Sequence, residues 1–441
     1  MRISRLATAG LALAAAAATM TITAPAAQAA YPPGFKSVGY LPSWSGNVSA
    51  IQYGKLTHIN YAFALPNSNG TLQAIPDPGK LQQLVSLGHQ NGVKVSLAIG
   101  GWNDGNDSAF EQLAGNANAR TTFVNSVVGT INQYSLDGVD IDWEYPDPGQ
   151  SGNNFTALMQ QLSSAMHSRG KLLTAAVVSE GGTAEGVQPA VFGAVDWLNI
   201  MAYDGGSPHA NYDWSIGSVN FWKGRGLPAS KAVLGVPFYS RPTYLTYAQL
   251  VQIDPANANR DCTTVNGQQQ CYNGLPTIRR KTQWAVGNAG GIMNWELSQD
   301  TSGSTSLLSA IFETASGSTG GTITGYGGKC VDVAGANSAN GTAVQLWTCN
   351  GTNAQQWSRN GTTLRALGKC LDATGTANGA VTQIWDCTGA PNQQWQAQAD
   401  GTLRNPASGR CLDATGPSSA DGTRLQLWDC YAGANQRWSF T

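Results

Sequence analysis

The sequence has 441 residues and a formal net charge of −1, and 12% of it is charged, about half of average usage. So neutral a chain excludes nucleic acid and anionic membrane surfaces as partners, since both select basic faces. Polarity comes instead from Asn, Gln, Ser, Thr and Gly around 14 Trp, and neutral hydrogen-bonding groups beside flat indoles suit an uncharged, hydroxyl-rich ligand.

Arg2 and Arg5 precede an apolar run from Leu11 to Thr23, and Ala27-Gln28-Ala29 follows as a small-x-small cleavage site. This predicts a signal peptide over 1–29, a mature start near Tyr31 and a secreted, extracellular protein. The run is too short to span a bilayer, and no later segment is apolar for long enough. About 410 residues remain, which suits two or three domains.

Short apolar runs then recur: SVGYLPSW from Ser37, LTHINYAFA from Leu56, VKVSLAIGGW from Val93 and LDGVDIDWEY from Leu136. LLTAAVV from Leu172, VDWLNIMAYD from Val195, AVLGVPFYSR from Ala232 and GGIMNWEL from Gly290 continue the series. Helix-like stretches lie between most of them, at 80–90, 117–134 and 154–168. Eight strands alternating with helices predict a parallel α/β fold, and the count of eight favours a (β/α)8 TIM barrel over 31–314. A doubly wound sheet is the alternative, but no Gly-rich nucleotide fingerprint follows the first strand.

In LDGVDIDWEY, Asp140, Asp142 and Glu144 alternate with Val139, Ile141 and Trp143. Alternate residues of a strand share a face, so three acids point into the barrel while the apolar set meets the helices. Burying carboxylates without partners costs several kcal/mol each, about the most expensive thing a core can do. Folding gains nothing from such a face, and a catalytic role explains it. Calcium loops place their acids on a Gly-containing polar loop instead. Glu144 stands last, nearest the C-terminal mouth, and crowding by its neighbours is expected to raise its pKa and keep it a general acid. Asp140 and Asp142 are expected to share a proton. Asp137 is off this parity and reads as a structural hydrogen-bonding group.

All eight cysteines lie beyond Arg260, and an even count behind an export signal reads as disulfides. Proximity pairs Cys262 with Cys271, Cys330 with Cys349, Cys370 with Cys387, and Cys411 with Cys430. There is no Cys-x-x-Cys or Cys/His cluster and the chain has four His, so neither a metal nor another cofactor is expected. Ala315 to Gly321, ASGSTGG, reads as a linker over 315–321.

From Ile323 the chain repeats with a period near 40 residues. KCVDVAG, KCLDATG and RCLDATG recur, followed by QLWTC, QIWDC and QLWDC, and each unit closes on QQW, QQW or QRW. One supersecondary unit is used three times. Residues 322–441 resemble the ricin-type β-trefoil lectins, carbohydrate-binding module family 13, an all-β fold. The resemblance implies a sugar pocket in each copy. The first would use Asp332, Gln345, Trp347 and Gln355, with Ala354 where Asn is expected. The second would use Asp372, Gln383, Trp385, Asn392 and Gln393, and the third Asp413, Gln426, Trp428, Asn435 and Gln436. The closing Trp357, Trp395 and Trp438 read as core.

The run DGVDIDWE resembles the signature of glycoside hydrolase family 18, and the likeness extends along the whole first domain. GYLPSW with Tyr40, NYAFA with Phe63, and LAIGGW with Gly100, Gly101 and Trp102 resemble its first three strands. MAYD resembles the sixth with Met201, Tyr203 and Asp204, GVPFYSR the seventh with Tyr239 and Arg241, and Trp295 the indole flooring the catalytic subsite. Some members carry Ser where Ala98 stands and others Ala. The resemblance implies a secreted, endo-acting chitinase, expected to be a monomer, that hydrolyses chitin or a related N-acetylglucosamine polysaccharide. Its nucleophile would be the substrate's own acetamido oxygen. Glu144 would be the acid, Asp142 would steady the oxazolinium ion, Tyr203 would bond the acetamido oxygen, and Asp140 would trade a proton with Asp142. About 50 residues separate Arg241 from Gly291, so the α+β insertion of many members is reduced or absent, which predicts a shallower, open groove. An endo-β-N-acetylglucosaminidase and a non-catalytic chitin lectin are the alternatives. The intact Glu144 argues against the lectin, and MAYD followed by Trp295 against the first.

Overall fold

Each of the eight apolar runs forms a parallel strand: Lys36–Pro42, His58–Ala64, Lys94–Gly100, Gly138–Asp142, Leu172–Val178, Trp197–Met201, Ala232–Pro237 and Gly291–Trp295. Each pairs with its chain neighbours, and the first also pairs with the last, Lys36 opposite Gly291, which closes the barrel. The computed structural model describes residues 31–316 and 319–440, so the expected signal peptide over 1–29 lies outside the described residues.

The helices follow local signals. Ala117–Tyr134 falls where expected because Asn116 accepts the N–H groups of Asn118 and Ala119, while Phe123, Val127 and Ile131 recur every fourth residue on the buried face. Ser135 in the left-handed conformation, φ 56°, ends it. Pro78–Gln90 starts earlier than the pattern suggests, since Asp77 caps the Lys80 N–H and Pro78 fits the first turn. Gln150–His167 likewise starts ahead of its apolar stripe.

The fourth strand behaves as its alternation requires. Val139 and Ile141 are fully buried against the helical layer, and Trp143 stacks on Phe110 with centroids 5.2 Å apart. At the end of the third strand, Gly100 has φ +116° and a Cβ there would lie 2.1 Å from the Asp142 carbonyl oxygen. Only glycine lets the two strands approach this closely at the mouth. Asp137 accepts from the Val95 N–H at 2.8 Å and from His89 at 2.8 Å, the structural role its parity indicated.

Between the seventh and eighth strands run the helix Tyr247–Ile253, the hairpin Cys262–Val265 with Gln268–Cys271, and the helix Leu275–Asn288. The Cys262–Cys271 disulfide closes the hairpin with the Cα atoms 4.0 Å apart.

The C-terminal domain is an antiparallel sheet curled into three equivalent hairpins. Cys330 faces Trp347, Cys370 faces Trp385 and Cys411 faces Trp428, while Asp332, Asp372 and Asp413 face Gln345, Gln383 and Gln426. The three disulfides pair as sequence proximity indicated, each with Cα atoms 5.1 Å apart. Trp357, Trp395 and Trp438 are buried together and donate to the carbonyls of Val331, Leu371 and Leu412. Most of the described residues in the stretch read as a linker are structured. Ala315 ends the helix Leu307–Ala315, and Thr319–Gly321 pairs with Trp357–Arg359 as an edge strand. A glycine-rich segment can still be ordered when a sheet edge offers its backbone partners.

Candidate active site

The barrel's C-terminal mouth opens into a cleft of about 870 Å³, and Asp142 and Glu144 stand in its wall. Trp295 forms the floor with Phe63 stacked on it at 5.5 Å and Tyr40 tilted against it at 5.6 Å. Aromatic pairs of this kind contribute about 0.5–1.5 kcal/mol beyond area burial, which helps to hold the floor together. Met201, Tyr203, Asp204, Tyr239, Arg241 and Trp102 complete the lining anticipated from sequence.

Asp140 lies one layer beneath, fully buried and outside the cleft lining. Its carboxylate accepts from Tyr40 Oη at 2.5 Å, Asn199 Nδ2 at 3.1 Å and the Thr174 hydroxyl. Trp197 Nε1 in turn holds Asn199 Oδ1 at 3.0 Å, fixing which end of that amide donates. Burial raises the Asp140 pKa and these three donors oppose the rise.

Asp142 is treated differently. It is 3% exposed, and its Oδ1 has no hydrogen-bond partner among the described residues. Burial first, then the charges of Glu144 and Asp140, push its pKa well above the ordinary carboxylate value. Glu144 is also raised, chiefly by burial, with Asp204 adding and a hydrogen bond to Tyr145 opposing. This corrects one expectation: crowding within the row acts mainly on Asp142, whereas burial above the aromatic floor dominates at Glu144. The reason is geometric, since Asp142 sits between the other two acids along the row.

Asp204 and Arg241 form an ion pair on one wall. Arg241 Nε donates to Asp204 Oδ1 at 2.7 Å and its Nη2 reaches Oδ2. Tyr239 Oη donates to the same Oδ1 at 2.7 Å. Burial acts to raise the Asp204 pKa, but the neighbouring His209 ring and the bonds from Arg241 and Tyr239 overcome it and bring the value to about 2. Asp204 is therefore the permanently charged acid of the site, and Asp142 and Glu144 are the ones that can hold a proton.

Gly101 does not line this cleft. A Cβ there would lie 2.6 Å from the Phe63 ring, so its role is to let Phe63 settle onto Trp295. Sequence reasoning missed Trp44, Tyr145 and Tyr244, which all line the cleft. Trp44 is 67% exposed and Tyr244 55%, and the Arg241 guanidinium lies 3.7 Å over the Tyr244 ring. Trp44 and Tyr145 belong to the quoted runs GYLPSW and WEY, and an aromatic just beyond a barrel strand was the available signal.

In the C-terminal domain each Asp is held by side chains of its own copy. Asp372 accepts from Gln383 at 3.0 Å, Asn392 at 2.8 Å and Gln393 at 3.0 Å. Asp413 accepts from Gln426, Asn435 and Gln436 at 3.0, 2.8 and 3.0 Å. Asp332 has Gln345 at 3.0 Å and Gln355 at 3.1 Å, and Ala354 leaves the third donor out. Gln355, Gln393 and Gln436 are buried, and their amide oxygens are taken by the N–H groups of Asn350, Thr388 and Tyr431. They hold the pocket acid and the turn, and so cannot themselves touch a sugar. Trp347, Trp385 and Trp428 are exposed to similar extents, near 40%. The third copy adds Tyr431, 57% exposed, whose hydroxyl donates to Asn435 Oδ1 at 2.7 Å.

An eight-stranded parallel barrel, a row of acids rising from its fourth strand and an aromatic cleft above define the (β/α)8 glycoside hydrolase class. The model of Glycosyl hydrolases family 18 matches residues 36–300, and the chain belongs to that family. The Ricin-type beta-trefoil lectin domain model matches residues 319–438, which form its C-terminal domain. Chitinase A1 of Niallia circulans is 31% identical over 300 residues, covering 47% of this chain and 42% of that protein. Chitotriosidase-1 of Mus musculus is 32% identical, covering 47% of this chain and 53% of its own length. The chain thus spans about half the length of these curated relatives. Among solved structures, the GH18 chitinase ChiB from Flavobacterium johnsoniae is 30% identical with a TM-score of 0.57, covering 64% of this chain and 94% of that one.

Proposed function

We propose that this protein is a secreted endo-chitinase that cleaves β-1,4-linked N-acetylglucosamine polymers with the substrate's acetamido group as nucleophile, and that its trefoil binds the polysaccharide. The observation that carries the reading is the Oδ1 of buried Asp142, unpartnered among the described residues, in the same cleft as Glu144 and Trp295. An acceptor left free in such a place matches a substrate amide N–H, because a buried polar atom without a partner costs about 1–3 kcal/mol. Glu144 protonates the glycosidic oxygen while the acetamido carbonyl attacks the anomeric carbon. Asp142 takes the acetamido N–H and offsets the oxazolinium charge, with Asp140 receiving or returning its proton. Tyr203 bonds the acetamido oxygen, and Glu144, now a base, activates the water that opens the ring with retention. Export is supported by the signal-like N-terminus and by four disulfides. The short segment after the seventh strand and the exposed rim aromatics Trp44 and Trp102 favour internal cutting.

Incubation with colloidal chitin and with a high-mannose glycoprotein, side by side, separates the readings. Release of chito-oligosaccharides from the first and no glycan from the second is the expected result. Glycan release alone would move the function to an N-glycan hydrolase, and binding without product to a lectin.

Retention of the full chain on insoluble chitin and xylan tests the trefoil. Trp385→Ala and Trp428→Ala are expected to weaken it several-fold each, and Trp347→Ala less, because Ala354 deprives its pocket of a donor worth about 1 kcal/mol. A dominant loss from Trp347→Ala would reverse the ranking.

A further inference from the structure

The segment between the seventh and eighth barrel strands is tied to the cleft at two places. Arg241 and Cys271 exchange main-chain hydrogen bonds, 2.9 Å in each direction, so the disulfide-closed hairpin is stitched to the residue that grips Asp204. Next to it Gln270, 1% exposed, accepts from Ser240 Oγ at 3.2 Å, from the Thr243 N–H at 3.2 Å and from Thr243 Oγ1 at 2.8 Å. That one amide oxygen holds the turn carrying Arg241 and Tyr244.

The second tie comes from the helix Leu275–Asn288. Lys281 Nζ donates to the Ala210 carbonyl at 2.7 Å and to Asn273 Oδ1 at 2.6 Å, and Asn273 Nδ2 donates to the same carbonyl at 3.0 Å. Ala210 closes the loop that begins at Asp204, its N–H bonded to the Gly205 carbonyl at 3.0 Å. The preceding His209 places Nδ1 3.5 Å from Asp204 Oδ1. Both ties therefore converge on the Asp204–Arg241 pair, one from each partner's side.

Packing alone does not account for Lys281. It is fully buried, the acceptors it reaches are neutral, and burial lowers its pKa to about 7. A Leu or Met would fill the volume without desolvating an ammonium group. What the ammonium and the two amides add is direction: they fix one carbonyl and one turn on opposite sides of an ion pair in the cleft wall.

We propose that Gln270, Asn273 and Lys281 are positioning residues, and that the short segment they belong to braces the Asp204–Arg241 wall and sets how firmly a sugar chain is held along it. None of the three touches the reacting atoms. The inference rests on the reading of the cleft as a chito-oligosaccharide site.

The full-length protein and its Gln270→Leu and Thr243→Val variants test it through kcat and KM for soluble chitohexaose. Amide hydrogen exchange over residues 204–211 and 239–244 is followed in parallel. Gln270→Leu is expected to raise KM about five- to tenfold with kcat within about twofold, because binding is loosened and the acid is not. Thr243→Val, an exposed position that loses one hydroxyl donor to Gln270, raises KM about two- to threefold. Exchange over both segments quickens in Gln270→Leu. Unchanged KM, a fall in kcat at constant KM, or unchanged exchange each overturns the brace. Should Gln270→Leu fail to fold, Thr243→Val decides by the same readouts. A parent protein that leaves chitohexaose uncut defeats the functional reading, and exchange alone then judges the brace.

Discussion

Replacing Glu144 by Gln is expected to abolish turnover of chitin oligomers, with kcat down by about 10²–10⁴-fold and folding and oligosaccharide binding intact. The amide fills the same space above the Trp295 floor but has no proton to transfer. Burial, aided by the charge of Asp204, holds the Glu144 carboxyl above its ordinary value, so the acid form is populated where an exposed glutamate would have lost it. The pH–rate profile should accordingly have an alkaline limb set by Glu144 deprotonation. Steady-state kinetics and isothermal binding on the purified variant check both halves. A folded Glu144→Gln protein that turned over chitohexaose at an appreciable rate would remove Glu144 from its role.

Asp142→Asn is expected to lower kcat by about 10²–10³-fold, the loss found when a preorganised group facing a developing charge is removed. The change preserves shape and removes the negative charge that balances the oxazolinium ion. It also carries a pH signature. The Glu144 charge raises Asp142, whereas Glu144 itself is held up by burial and by the charge of Asp204. Neutralising Asp142 leaves both of those causes in place, so the alkaline limb of the residual activity should stay where it lies in the parent. A limb that moved to lower pH would mean that the charge of Asp142 is what holds Glu144 up. Fully deacetylated chitosan supplies the matching substrate experiment: lacking the acetamido nucleophile, it should not be cut, and cleavage as fast as chitin would leave substrate assistance untenable.

Much of this was legible before any coordinates. Strand parity alone placed Asp140, Asp142 and Glu144 on one face and Val139, Ile141 and Trp143 on the other, because the two-residue period of a strand is independent of context. The eight apolar runs, the helix over Ala117–Tyr134 and the four disulfide pairs were likewise local matters: periodicity, a capping Asn and short sequence separations. The threefold repeat identified the trefoil, since a repeated signature specifies a repeated fold.

The tertiary structure decided whatever depends on atoms far apart in the chain. That Asp140 sits beneath the cleft, held by Tyr40, Thr174 and Asn199 from three other strands, is a property of barrel closure and cannot be read from its own segment. The same closure leaves Asp142 Oδ1 unpartnered among the described residues and makes burial the main influence on Glu144. In the trefoil, the motif glutamines Gln355, Gln393 and Gln436 read as ligands in sequence but face inward, because the Asp and the turn they hold approach each other only once the hairpins fold. Sequence determined which residues carry the chemistry, through local spacing; distance, burial and hydrogen-bond partners, which folding alone brings together, decided what each of them does.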